Sequence, residues 1–584
     1  MTHSSSIEPN VELQDAGSEK PQIDLRIANE KTDWLDRVTD QASEWLSPIL
    51  VKEVRQTLKS YQFAWTFFLL LVAVVLWTLI GWTANQPVDD YNEIGPPLLL
   101  GFYWILGFPL GIVIPFAAYR SLAREFDDGT IQLISISTMR SWQIVIGKLV
   151  SSALQMLIYL AILAPCISFT YLLRGISISQ ITSGLVICIV GCCLLSSLGL
   201  FLAAVARSRF FSVGISILLV IGLAILYCTW CGFSINIAIY PSFSGDYLAW
   251  QILMFGWVGF AVSTSLLLLS VTSSLISFES DNRSTLPKCM MLVQQTVFLA
   301  WCLCMISLDI DVDILIGLVF ILSHFWMIMG FAMVGESPKL SERVQRSLPK
   351  SIGMRSLFSL FVPGPGRGLI YSVTNLWASG AILLMMVIFG EMFLPEADRG
   401  MQGITSGQAN LMSLNEIYRC CDGTCVAFFY VTLFISLMYL VMQFVSKKTQ
   451  WNWGPIASVL LGLTIVALAT TISLVLHTNL VSFSRQRDFS VFQYGNWYWA
   501  TWEASEPGGF SGAGLGLATA FLACVAMLLI ATAIIMASKE LLTKPGALPA
   551  RVAVDDQQIE QSKKLPVGET IDDIFNEPRQ DEAT

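Results

Sequence analysis

Apolar blocks of roughly twenty residues recur from position 62 to position 536, each long enough to cross a hydrocarbon core of about 30 Å at 1.5 Å per residue. Short polar links separate them. The pattern predicts spans at 62–82, 98–119, 149–172, 183–206, 211–230, 249–273, 290–308, 312–333, 372–394, 426–446, 454–477 and 512–536. The seventh is the weakest, because Gln294 and Gln295 interrupt it. The expected fold class is therefore all-α, a polytopic integral membrane protein of about twelve transmembrane helices.

Composition agrees with that reading. Of 584 residues, 54% are hydrophobic and 13% charged, against roughly 25% charged in an average soluble domain. With the N-terminus placed inside, the inward loops between spans hold sixteen Lys or Arg and the outward loops five, Arg174, Arg399, Arg419, Arg485 and Arg487. That asymmetry satisfies the positive-inside rule and predicts that both termini are cytoplasmic. The expected location is the plasma membrane, or the inner membrane of a cell with two. Residues 1–44 read as a disordered cytoplasmic segment without an apolar signal region, so that the first span directs insertion. The net charge of -9 is concentrated late, with ten acids after residue 537, and residues 537–584 read as an acidic cytoplasmic tail. A basic nucleic-acid surface is absent, so no nucleic-acid partner is expected.

Segments outside the spans carry further information. Residues 47–60, SPILVKEVRQTLKS, pattern as an amphipathic helix: Ser47 caps it, Pro48 suits its first position, and Lys52, Glu53 and Arg55 supply its charged edges. Such a helix lies in the inner headgroup plane before span one. The loop Arg120–Lys148 has a charged turn at Glu125–Gly129 followed by mixed Ile, Trp and hydroxyl positions, which fits a short helix across the mouth of spans two and three. The basic loop 335–368 ends in FVPGPGRG, expected to form a rigid turn before span nine. Of the two longer outward loops, 478–511 carries an aromatic cluster, Tyr494, Trp497, Trp499 and Trp502, read as a membrane-surface cap. The other, 395–425, holds Cys420, Cys421 and Cys425. There an oxidising compartment would permit a disulfide from Cys420 or Cys421 to Cys425. The remaining cysteines sit in or beside spans as small core residues.

Catalytic and redox motifs are missing. Gly147-Lys148 lacks the glycine spacing of a phosphate loop, and no serine elbow, HExxH or CxxCH occurs. No metal, catalytic or cofactor-binding residue is expected. His324 and His477 stand in different spans without a carboxylate nearby in sequence, which reads as interhelical hydrogen bonding. No central part of a confident span holds Asp, Glu, Lys or Arg, whereas ion-coupled carriers usually place ionisable or unwound coordinating groups there.

The run Glu125-Phe-Asp-Asp-Gly129-Thr130, then Leu133, Thr138, Arg140 and Gly147-Lys148, resembles the first cytoplasmic loop of permease subunits of type-2 ABC transporters. SPILVKEVRQ resembles the same family's Pro-x-x-x-Lys-Glu connecting helix. The resemblance covers about residues 45–275, a six-span unit. Met139 departs from the family's proline, and no second copy of the motif stands in residues 276–536, a second six-span unit that reads either as a degenerate permease half or as added helices around a dimer.

The resemblance implies an ATP-driven exporter whose partner is a cytosolic ABC ATPase, with ATP and Mg bound there and none on this chain. Glu125, Asp127, Asp128, Gly129, Thr130, Arg140, Gly147 and Lys148 would couple the chain to that ATPase. A homodimer or second permease and membrane lipid are the other expected partners. Spans without a charged cavity suit a hydrophobic or amphipathic substrate. A secondary carrier and a non-transporting scaffold for a cytosolic complex are the competing classes.

Overall fold

The computed structural model describes residues 53–84, 95–130, 140–239, 247–306, 312–393, 414–449, 454–481, 489–506 and 515–541, apart from positions 57, 174, 207–208, 279, 339 and 350. Lys52, the 131–139 part of the predicted coupling segment, and both terminal segments lie outside the described residues.

Among the described residues, twelve helices are long and apolar enough to cross a membrane. We label them α1 (Tyr61–Ala84), α2 (Gly95–Asp127), α3 (Ser141–Tyr171), α4 (Ile178–Val205), α5 (Arg209–Ala238), α6 (Tyr247–Ile276), α7 (Thr285–Ile306), α8 (Val312–Val334), α9 (Pro365–Phe393), α10 (Leu414–Thr449), α11 (Pro455–Leu480) and α12 (Leu515–Leu541). The interrupted seventh block is thus a full span. α2 runs eight residues beyond its predicted end at 119, and it contains a π turn at Pro109–Val113 where Ile114 N–H donates to the Pro109 carbonyl. Pro109 and Pro115 have no N–H to continue the ordinary ladder, which accounts for the wider turn.

The two sets of six helices share one pattern of neighbours. In each, the second helix packs on the third, fourth and fifth, the third on the fourth and sixth, the fourth on the fifth and sixth, and the first on the third. Because six spans return the chain to the side it started from, the repeat is a parallel one. The halves meet chiefly along α6 and α7. α2, α8 and α10 are central and mostly buried, whereas α1 and α5 bury few residues and present apolar side chains such as Trp65, Leu69, Ile217 and Leu218 to the lipid side. Close crossings fall on glycine. A Cβ at Gly199 of α4 would stand 2.6 Å from the Pro115 carbonyl oxygen, and one at Gly330 of α8 would stand 2.6 Å from Ile435 Cδ1 on α10.

One expectation is corrected at α10. Cys420, Cys421 and Cys425 lie on its helical first turns and not in a loop. The helix extends through Arg419 and Asp422 because a short helix, Trp497–Ser505, covers this end of it, with Arg419 Nε donating to the Ser505 carbonyl and Gly423 packed by Ser505. Trp497, Trp499 and Trp502 of the aromatic cluster belong to the same short helix, and Tyr494 to the 3-10 turn Val491–Gly495 just before it. Trp497 is fully buried, 5.5 Å from the Phe320 ring and 5.0 Å from His324, while Trp502 stays exposed. The cap is therefore anchored into the second half by one tryptophan.

Candidate functional site

At the end of the bundle where α2 leaves and α3 returns, the sequence-singled residues separate into a buried set and an exposed set. Residues 53–56 and 58 are helical, Ser60 Oγ accepts from Phe63 N–H at 3.2 Å to cap α1, and Glu53 projects from the preceding helix. Lys148, eight residues into α3, is almost inaccessible and donates to Glu53 Oε1 at 2.9 Å and to Ser121 Oγ at 2.8 Å, and it pairs with Glu125 Oε1 at 3.0 Å. Ser121 in turn donates to Glu53 Oε2 at 3.0 Å. Two hydrogen bonds and an ion pair hold the ammonium, so its burial is compensated. Glu125 sits in the last turn of α2, where the helix dipole disfavours a carboxylate, and the lysine offsets that too. Two carboxylates face one cation here, and Glu125 Oε2 is buried with no hydrogen-bond partner.

The exposed set forms the rim over this cluster. Asp127, Asp128 and Gly129 are open, Gly129 holds φ +68°, and Thr130 Oγ1 donates to the Glu125 carbonyl at 3.3 Å. A positive φ of that size favours glycine, as its place after the acidic pair suggests. Arg140 and Arg55 are exposed as well, and Arg140 N–H donates to Gln143 Oε1 at 3.0 Å to start α3. Gly147 is buried beside Lys148. Glu125 and Lys148 therefore shape the turn, whereas Asp127, Asp128 and Arg140 are the charges a soluble protein could touch.

A second cluster at the same end of the bundle was not read from the sequence. Lys288 of α7, fully buried, donates to the Val362 carbonyl at 2.9 Å, lies 3.5 Å from Glu336 Oε2, and has the Tyr371 ring centroid 5.9 Å away. Glu336 Oε2 accepts from Gly364 N–H at 2.9 Å and its other oxygen from Ser284 Oγ. Gly366 N–H at the start of α9 donates to Glu540 Oε2 at 2.9 Å, and Arg367 donates to the Pro363 and Glu540 carbonyls. The FVPGPGRG turn is thus the frame on which two cations and two carboxylates are hung, with the N-terminus of α9 turned to the carboxylates. Both clusters join the start of a first span, the end of a second and the start of a third. They differ in sign, since the first-span group is acidic in one half and basic in the other. The signal available in the sequence was a charge at each of these helix ends.

Family models, curated proteins and solved structures offer no match to this chain. Its chemistry must be argued from its own residues.

A cavity of about 1050 Å³ lies at membrane depth where the halves meet, lined by α2, α4, α5, α6 and α7 with Ile321 of α8. Its walls are apolar and aromatic, among them Trp230, Trp257, Phe298 and Trp301, and among the described residues no charged one lines it. Phe233, Leu253, Phe260 and Ile321 on its rim are also exposed on the bundle surface, so it opens toward lipid. The histidines take no part in it. His324 Nδ1 is 2.7 Å from the Phe320 carbonyl, which only accepts, so Nε2 accepts from Tyr498 O–H at 2.7 Å. His477 Nδ1 lies 2.7 Å from Ser490 Oγ. Both tie their spans to the segment after α11. Among the described residues no group of three His, Cys, Asp or Glu is placed to hold a metal.

Proposed function

We propose that the chain is the permease of an ATP-driven ABC transporter of the type-2 class, exporting a hydrophobic or amphipathic substrate, with ATP hydrolysis on a separate cytosolic subunit. The observation that carries the reading is the Glu53–Ser121–Glu125–Lys148 cluster. It fastens the helix before α1, the end of α2 and the start of α3 into one body, beneath an exposed acidic turn at Asp127–Thr130. A push delivered to that turn is passed to three helix ends together, which is what a coupling element requires. The shared neighbour pattern of the halves favours residues 276–536 as a second permease half over added helices. The uncharged cavity open to lipid favours transport of an apolar molecule over scaffolding, which needs no cavity.

The test is copurification with the ATPase, together with substrate-stimulated ATP turnover in reconstituted membranes. Gly129→Val strains the turn by about 1–3 kcal/mol, and Glu125→Ala removes one carboxylate from Lys148. Both lie at or beyond the membrane face, so insertion should persist while stimulated turnover falls strongly. Wild-type association and turnover in both variants would reject the coupling role and favour the scaffold. Association without stimulation would locate the defect in transmission.

A further inference from the structure

The connection from α8 to α9 is the second half's counterpart of the turn from α2 to α3, and it is built differently. Where the first-half turn exposes Asp127 and Asp128, this one carries two short helices, Glu342–Arg346 and Ile352–Ser359. Met354, Leu357 and Phe358 share one face of the second helix, at spacings of three and four, and are 51%, 57% and 50% exposed. Ser359, on the other side of that helix, is buried. This arrangement is the reverse of a surface made for water, and it leaves a contiguous apolar face uncovered.

Contacts fix the height of that face. The helix packs on the end of α12, and the residues after it run into the bundle: the Phe361 carbonyl accepts from Thr285 Oγ1 at 3.0 Å and the Val362 carbonyl from Lys288 Nζ at 2.9 Å, both in the first turn of α7. Val362 also packs with Val344 of the first short helix. Both short helices therefore stand at the level of the span ends, where a bilayer presents its headgroups. Charge then selects among headgroups. Residues 337–359 hold five Lys or Arg and one acid, Glu342. Arg343 keeps 77% of its side chain exposed while pairing with Asp281, and Arg346 pairs with Glu342. Exposed pairs of this kind are weak, so they yield to a phosphate brought alongside.

We propose that Ile352–Ser359 is a membrane-docking helix, with Met354, Leu357 and Phe358 seated among the acyl chains just below the headgroups and the neighbouring basic residues held to anionic phospholipid. A bilayer meets a face at that height, whereas a soluble partner would have to displace headgroups to reach it. The two equivalent connections then have different occupants: lipid in the second half, and water or a soluble protein at Asp127–Thr130 in the first. The docking stands whether or not the chain transports anything.

The experiment needs no ATPase. The full chain, with the photoreactive p-benzoylphenylalanine in place of Leu357, is reconstituted into nanodiscs of phosphatidylcholine and phosphatidylglycerol in equal amounts, irradiated, and digested for mass spectrometry. The same photoreactive residue at Leu69, on lipid-facing α1, and at Asp128 gives the two references. The Leu357 position should yield phospholipid adducts as the Leu69 position does, and the Asp128 position none. Adducts at the Leu357 position should favour phosphatidylglycerol about threefold, and those at the Leu69 position should take either lipid equally. Met354→Ser together with Phe358→Ser should lower adducts at the Leu357 position about fivefold, while undiminished adducts at the Leu69 position report an intact fold. Arg343→Gln together with Arg346→Gln should reduce the preference for phosphatidylglycerol and leave the adduct total unchanged. Absence of lipid adducts at the Leu357 position, crosslinks from it to another polypeptide, or adducts that ignore the serine changes would overturn the docking. Equal use of the two lipids, or a preference that ignores the glutamine changes, would overturn its anionic part.

Discussion

Lys148 is the side chain on which most rests at the end of the bundle where α2 leaves and α3 returns. Removing a buried cation from between two carboxylates costs about 3–5 kcal/mol, because the remaining charges are left unpaired and repel. Lys148→Met should therefore lower the melting temperature of the purified protein markedly. Adding Glu53→Gln and Glu125→Gln should recover much of the loss, since amides in place of the carboxylates leave no buried charge. A triple variant no more stable than Lys148→Met would show that the three do not act as one cluster. The residue types were legible in the sequence, where Glu53, Glu125 and Lys148 stand out in a charge-poor chain. Their pairing was not, because they are separated by as many as 95 positions and only the return of α3 beside α2 brings them together. Glu125 also changes setting: as a sequence position it reads as a group for a partner, whereas in the structure it is buried against Lys148, and Asp127 and Asp128 are the exposed acids of the turn.

At the level of elements, hydrophobic runs located every span because a twenty-residue apolar block has few other stable fates in this composition. Boundaries failed where charges were neutralised locally. α2 continues to Asp127 because Lys148 accepts Glu125 into the bundle, and α7 starts at Thr285 because Lys288 is held by Glu336 and the Val362 carbonyl. Gln294 weakened the seventh span by pattern, yet it faces Thr264 and a cavity, so the helix is not weakened there. The glycine crossings give an element-scale expectation. Gly199→Val presses a methyl-bearing carbon on the fixed Pro115 carbonyl, whereas the same change at Gly330 meets the movable tip of Ile435. Overpacking of this kind costs about 1–3 kcal/mol. Thermal unfolding should place Gly199→Val below Gly330→Val, and the reverse order would contradict the α2–α4 packing.

For the whole molecule, the distribution of basic residues makes an orientation that can be read by chemistry. A cysteine introduced at Ser406 or Gln486 should react with an impermeant maleimide from outside intact cells, and one at Ser341 should react only after lysis. External labelling at 341 would invert the assignment. The internal repeat was half legible: equal numbers of spans can be counted along the chain, but the common neighbour pattern appears only when helices are packed, since the two halves keep their geometry with different residues. The opposite signs of the clusters illustrate this, because a repeat sought as recurring acidic motif would pass over Lys288 and Arg367.

The two clusters also differ in when they can be completed. As the chain leaves the ribosome, Glu53 and Glu125 precede Lys148, so the first ion group closes as soon as the third helix is inserted. In the other half the cations come early: Lys288 awaits Glu336, and Arg367 awaits the carbonyl of Glu540 at the last helix. The α9 turn stays without one of its two carboxylates until α12 has been made. A nascent chain halted after α6 should accordingly resist proteolysis at its basic face, while one halted after α11 should be cut around 363–367 until the final helix is supplied. Quality control during synthesis would then sense the second half by its last helix.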